Sequence, residues 1–283
     1  MNLPFSIDLK DKVCVVTGGG GVLCSTFAMA VAKCGAKVAI LDLRKEAADK
    51  VADEINKEGG IAIGVGANVL QKESLLEAKE IVNTKLGSCD ILINGAGGNN
   101  PKGTTTLEYY NMGDEEKDDI VSFFDLDPEG VSIVFNLNFL GTLLPTQIFV
   151  PDMLGKKDAC ILNVSSMNAF TPLTKIPAYS GAKAAISNFT QWLSVHFSRV
   201  GIRVNAIAPG FFVTDQNRAL LFDAEGNYTD RSKKIISQTP MERFGEKEEL
   251  LGALLFLLSN DAASFVNGVV IPVDGGFSAY SGV

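Results

Sequence analysis

Short runs of apolar, largely β-branched residues recur along the chain at Lys12–Thr17, Val38–Leu41, Ile61–Val65, Ile91–Ile93, Ala159–Val164, Arg203–Ala208 and Val269–Val273. Longer segments separate them, among them Ser25–Cys34, Leu43–Glu58, Lys72–Lys85, Val131–Leu154, Ala178–Phe197 and Lys247–Ser259. The first set predicts seven strands and the second the helices between them. The strand runs are almost continuously apolar rather than alternating, as in strands covered on both faces. Strands joined through helices pair in parallel, because each crossover returns the chain across one face of the sheet. The expectation is an α/β fold with a seven-stranded parallel sheet and helices on both faces. No Pro/Ser-rich linker or internal repeat interrupts the alternation, so residues 1–283 are expected to form a single domain.

Two segments break the rhythm, at about 98–130 and 211–243, and both follow the C-terminal end of a strand. Ligands of open α/β sheets bind outside those ends, so both segments are expected to be substrate loops, acting as lids or lacking order. The acidic run Asp114–Asp119 within the first reads as a solvated face.

The chemistry begins at the first loop. Gly18–Gly21 follow a strand and precede a helix, and the next strand ends at Asp42. Strand, glycine turn, helix, strand and acid make the dinucleotide-binding βαβ unit of a doubly wound, Rossmann-type domain. Bare glycine backbone admits a pyrophosphate, and the helix N-terminus offers free N–H groups and a positive dipole end. A carboxylate at Asp42 accepts hydrogen bonds from a ribose diol and repels a 2′-phosphate, which favours NAD(H) over NADP(H). Arg44 is the opposing signal.

A second constellation lies further on. Tyr179 and Lys183 are about one turn apart on one helix face, and Ser166 ends the strand before it. An ammonium beside a phenol stabilises the phenolate, so the tyrosine pKa is expected to fall from about 10 toward neutrality. Such a phenol exchanges a proton with a substrate alcohol or carbonyl while the serine hydroxyl holds the same oxygen. Taken alone, a Tyr-x3-Lys pair is commonplace, and Ser-Ser after a strand is usually a turn or cap.

Composition narrows the alternatives. The net charge is −8 and no Lys/Arg run exceeds two residues, which weighs against nucleic acid and anionic membrane surfaces as partners. No apolar run is expected to approach the roughly 18 residues of a membrane span, and no signal peptide is apparent. Five scattered cysteines and one histidine make a protein-built metal site improbable. These features together suggest a soluble, reduced, cytoplasmic protein. His196, with Trp192 and Phe189 at helical spacing, reads as packing.

In this order the motifs resemble those of the short-chain dehydrogenase/reductase family along nearly the whole chain. Thr17-Gly18 opens the cofactor loop, Asn94-Gly-Ala-Gly97 resembles the family's Asn-Asn-Ala-Gly turn, and Pro209-Gly210 matches the motif beside the nicotinamide. Asn138, Ser166, Tyr179 and Lys183 fall at the family's catalytic set. The resemblance implies that Tyr179 is the general acid/base and that Lys183 lowers its pKa and holds the nicotinamide ribose. It implies that Ser166 orients the substrate oxygen and Asn138 holds a water in a proton relay. Cofactor contacts are expected from Thr17, Gly18, Gly20, Gly21, Val22 and Leu23, from Asp42 and Leu43, and from Asn68 and Val69. Others are expected from Asn94, Gly95 and Ala96, from Tyr179 and Lys183, and from Pro209, Gly210, Phe212 and Thr214. A homotetramer is also implied, with the His196 helix and the helix through Leu154 packing against a neighbour.

The chain departs from the family pattern in three places. The loop pattern Thr-Gly-x3-Gly-x-Gly meets Val22 and Cys24 at its second and third glycines, and Gly19–Gly21 could compensate by tightening the turn earlier. Cys24 could be an oxidation switch, although a packed cysteine at a helix start is the plainer reading. Gly95 stands where asparagine is common, and the insert after Gly97 is long. Within the family, the segments Phe170–Pro177 and Gly97–Pro101 resemble sugar-acid enzymes described as D-mannonate oxidoreductase (fructuronate reductase). Asn99, Asn100, Asn168, Lys175 and Arg218 are then candidates for the substrate's hydroxyls and carboxylate. A gluconate 5-dehydrogenase-like enzyme, a 3-oxoacyl-thioester reductase, a lyase or epimerase, and a non-catalytic dinucleotide sensor are the alternatives.

Overall fold

The computed structural model describes residues 7–214 and 218–282. The start of the lead-in and Asp215–Asn217 of the second loop lie outside the described residues. The strands are β1 (Val13–Thr17), β2 (Lys37–Asp42), β3 (Ile61–Gly66), β4 (Ile91–Asn94), β5 (Cys160–Val164), β6 (Arg203–Pro209) and β7 (Val270–Val273). All pair in parallel, in the order β3-β2-β1-β4-β5-β6-β7. The order reverses between β1 and β4, which opens a crevice at their C-terminal ends.

The helices are α1 (Val22–Lys33), α2 (Lys45–Lys57), α3 (Lys72–Lys85), α4 (Pro128–Phe135), α5 (Gly141–Met153) and α6 (Pro177–His196). Two short helices, α7 (Arg218–Leu221) and α8 (Asp230–Ser237), precede α9 (Leu251–Leu258) and α10 (Asn260–Ala263). Because strand side chains alternate, β1 sends Cys14 and Val16 to one face and Val13 and Val15 to the other. The first face packs under α1, α2 and α9 through Phe27, Val51 and Leu254. The second packs under α3, α5 and α6 through Leu75, Phe149 and Leu193. Pro272 sits in the edge strand β7, where its missing N–H costs no ladder bond on the solvent side.

Three expectations need correction. The continuous helical stretch from Pro128 to Met153 is 26 residues long and contains an 18-residue window of mean hydropathy 1.5, so an apolar stretch long enough to cross a membrane does exist. Half of that window is buried inside the protein, where it forms the core side of α5. The two loops carry structure of their own. Residues 99–130 hold three single turns of 3-10 helix, one of them closed by a Ser122/Asp125 capping box. Residues 211–243 hold α7 and α8 over a small apolar cluster of Leu221, Ile235 and Phe244. The acidic run faces solvent except at Asp114, which is buried and held by Lys117 and by the backbone and side-chain N–H groups of Asn111.

Candidate active site

The glycine turn is shaped by steric necessity. Gly18 has φ of +63°, and a Cβ there would lie 2.8 Å from the Cα of Ala96. A Cβ on Gly20 would lie 2.7 Å from the Cβ of Ala47. Gly19, not among the expected contacts, is as constrained: a Cβ would stand 2.6 Å from Ile40. The turn closes through the Gly21 N–H donating to the Gly18 carbonyl at 3.0 Å, and α1 starts at Val22. The tight turn thus lies within Gly18–Gly21, ahead of Val22 and Cys24. Asp42 braces it from the next strand, accepting from the N–H of Gly20 at 3.1 Å and of Arg44 at 3.0 Å.

The turn after β4 is fixed to this loop from below. Thr17 is fully buried, and its hydroxyl accepts from the N–H of Gly95 (3.1 Å) and Ala96 (3.3 Å). Asn94 is buried too, donating to Thr146 (3.0 Å) and Asn163 (2.9 Å). The side chains of Thr17 and Asn94 thus hold the floor of the cleft and are not presented at its surface. Asn68 accepts from the N–H of Leu70, Val69 is buried beside Gly141, and Leu43 is exposed. On the far side, a Cβ on Gly210 would lie 2.6 Å from the Cα of Asp274, so only glycine fits after Pro209. Phe212 is buried behind it, and Thr214 is part-buried and carries α7 by accepting from the N–H of Arg218 at 2.9 Å.

Asn138 reaches the cleft through a departure from regular helix. Asn136–Leu140 form a π turn between α4 and α5, a wide turn that occurs mostly at functional sites. Asn138 is fully buried, donating to the carbonyls of Gly98 (2.7 Å) and Val134 (2.8 Å) and accepting from the Gly98 N–H (3.3 Å). It clamps the start of the insert. A Cβ on Gly97 would fall 2.6 Å from its Oδ1 and 3.2 Å from Lys183 Nζ, a constraint legible only as the last glycine of the turn motif.

Ser166 leads from β5 into a single 3-10 turn, its Oγ accepting from the Asn168 N–H at 3.3 Å. Pro177 opens α6, which carries Tyr179 and Lys183. Lys183 is buried, donates to the Val164 carbonyl at 2.9 Å, and stands 5.6 Å from the centroid of the Tyr179 ring. Burial lowers its pKa to about 8. Burial also raises the Tyr179 pKa above its ordinary value, and a hydrogen bond with the Ser166 hydroxyl offsets this only in part. The expected lowering of the Tyr179 pKa is therefore corrected: desolvation raises it and outweighs the hydrogen bond to Ser166.

The substrate candidates divide. Asn168 is buried beside Ser166. Lys175 lies just before α6 in the left-handed region, φ +72°, a conformation costing a lysine about 1 kcal/mol or more. Its carbonyl accepts from the Thr105 N–H at 2.8 Å, tying the insert to the site. Asn99 is exposed and donates to Thr104, and Asn100 caps the first 3-10 turn. Arg218 is exposed and lies over the ring of Phe222. Glu108 of the insert pairs with Lys234 of α8, joining the two loops across 126 positions of sequence, a contact with no sequence signal. That pairing holds the Glu108 carboxyl below the usual carboxylate range.

Known proteins share the fold. A family model described as short chain dehydrogenase matches residues 12–224. The chain is 62% identical to a solved Haemophilus influenzae protein, provisionally described as a D-mannonate oxidoreductase with NAD bound, with a TM-score of 0.95 and all of both chains covered. An uncharacterized oxidoreductase of Bacillus subtilis is 50% identical over 99% of this chain and 100% of its own. A gluconate 5-dehydrogenase from Burkholderia cenocepacia, solved with NADP and tartrate, is 27% identical, with a TM-score of 0.81 and 98% of each chain covered. The chain belongs to the short chain dehydrogenase family of oxidoreductases.

Proposed function

We propose that this protein is an NAD(H)-dependent dehydrogenase that interconverts a secondary alcohol and a ketone on a sugar acid, D-mannonate and D-fructuronate being the best-supported pair. The observation that carries the reading is the meeting of Ser166, Tyr179 and Lys183 at one end of a glycine-lined cleft that has Asp42 at the other. A dinucleotide-binding turn is supported by Gly18, Gly19 and Gly20, which pack so closely against Ala96, Ile40 and Ala47 that none of them admits a side chain. The nicotinamide supplies or accepts the hydride. Ser166 holds the substrate oxygen, and Tyr179 donates its proton to that oxygen or takes one from it. Lys183 holds the ribose and, when charged, favours the phenolate. Asn138 fixes the Gly98 backbone, so the insert begins from a rigid point. Asn168 and Lys175 would contact the substrate, the lysine pairing with its carboxylate. The description of the Haemophilus influenzae relative as a D-mannonate oxidoreductase supports the substrate class.

The reading is tested by following NADH absorbance with a panel of keto acids that includes fructuronate and 5-ketogluconate. Rapid oxidation with fructuronate is expected. Turnover with 5-ketogluconate instead would move the assignment to the gluconate type, and turnover with neither would remove the sugar-acid reading. Asp42 is proposed to set the cofactor preference. Asp42→Ala is expected to weaken NADH about tenfold and to narrow the gap to NADPH, since it removes both a ribose acceptor and the brace on Gly20. An unchanged ratio of the two dissociation constants would assign the preference to another residue. The groove between α5 and α6, lined by Leu143, Val150, Leu154, Phe189 and Trp192, supports packing against further copies of the chain as a homotetramer. Trp192 is 56% exposed and stacks on Phe189 and His196, leaving aromatic surface open at this groove.

A further inference from the structure

The first turn of α1 and the turn after β4 meet at one unusually close point. A Cβ built on Gly95 would lie 2.1 Å from the Sγ of Cys24, far inside any non-bonded separation. The same Cβ would lie 3.0 Å from the Thr17 carbonyl oxygen, a tight approach, and 3.6 Å from the Cβ of Cys24, an ordinary contact, so the sulfur is the main obstacle to a side chain at position 95. Cys24 is buried, and burial pushes its thiol up to about 12, so at neutral pH it is a protonated, small apolar filler. Around this contact the cleft floor interlocks: Thr17 takes the N–H groups of Gly95 and Ala96, and Gly18 sits directly over Ala96. Lys183 is close enough to feel the thiol electrostatically.

We propose that Cys24 and Gly95 form a compensated steric pair that sets the distance between the α1 N-terminus and the β4 turn, and thereby positions the dinucleotide cleft. The two departures from the family pattern then become a single exchange. Side-chain volume absent from the β4 turn is supplied by the helix, and neither residue can change alone without moving the loop. This rests on the cofactor reading above, and Cys24 is a positioning residue that needs no contact with the cofactor itself.

The test is a double-mutant cycle of Cys24→Ala, Gly95→Ala and the pair, read by thermal unfolding and by NADH dissociation constants from fluorescence. Gly95→Ala alone is expected to lower Tm by several degrees and weaken NADH about tenfold, with KM for NADH rising more than kcat falls. Cys24→Ala is expected to cost a few degrees and two- to threefold in NADH affinity, through the small void it leaves. The double variant, freed of the sulfur collision and left with only the tight approach to the Thr17 carbonyl, is expected to return to within twofold of Cys24→Ala in NADH affinity. Additive losses in the double variant, or a Gly95→Ala protein equal to wild type, would overturn the proposal. If Gly95→Ala does not fold, recovery of a folded double variant supports the pair and failure to recover it refutes the pair. If the wild type itself does not bind NADH, the cofactor reading falls and the positioning claim with it, while the Tm cycle still decides whether the two residues are sterically coupled.

Discussion

Tyr179→Phe is expected to bind NADH as wild type does and to turn over at least about a hundredfold more slowly, the usual scale of a lost general acid. The substitution is conservative in packing. The Tyr179 ring stays against Val134, Ala178 and Ala182, and only the hydroxyl beside Ser166 is removed. Because burial holds the Tyr179 pKa above its ordinary value, the phenol carries its proton at neutral pH, the form that the proposed ketone reduction needs in its proton donor. Oxidation of the alcohol needs the phenolate, so that rate should climb with pH in wild type and lose the climb in Tyr179→Phe. Turnover within tenfold of wild type, with the pH dependence intact, would assign the proton transfer to another group.

Lys183→Met should uncouple stability from activity. The folded pKa of Lys183, about 8, lies below its ordinary value of 10.5. Between these values the unfolded chain holds a proton that the folded chain has released, so this residue makes stability rise with pH across that window. Below about pH 8 both states are protonated, and the folded state carries the full penalty of a buried ammonium. The shift corresponds to about 3 kcal/mol across the window, as an order of magnitude. Buried Cys14, Cys24, Cys89 and Cys160 keep their protons in the folded state and act in the opposite sense at high pH. The difference between wild type and Lys183→Met, rather than either curve alone, therefore isolates the lysine. Denaturant unfolding from pH 7 to 10.5 should show wild type gaining on the variant as pH rises, while the variant turns over poorly throughout. A pH-independent difference would mean that Lys183 is not desolvated as its burial implies. Losing the hydrogen bond to the Val164 carbonyl costs the variant on the order of 1 kcal/mol at every pH, which moves the offset and not the slope.

The elements were legible wherever one physical rule dominated. The helix over Lys72–Lys85 and the strand starting at Ile61 emerge with the expected limits, because amphipathic spacing and β-branched runs are local signals. α1 begins earlier than expected, at Val22, since the glycine turn closes on itself and frees the next residue to enter the helix. The π turn at Asn136–Leu140 has no sequence signature, because what favours it is the clamp between Asn138 and Gly98, a contact between distant segments.

The order of chemical groups along the chain was set by the sequence itself: a glycine turn closed by Asp42, Ser166 at a strand end, and Tyr179 and Lys183 one helical turn apart. Alternation of apolar runs and helices likewise determined a parallel sheet, since both depend on short-range periodicity. Tertiary structure alone decided the rest. Whether Tyr179 sits low or high in pKa depends on the water excluded around it, and desolvation is a property of the assembled cleft. Glu108 meets Lys234, and Cys24 fills the space at Gly95, because packed loops bring together residues that no periodicity relates.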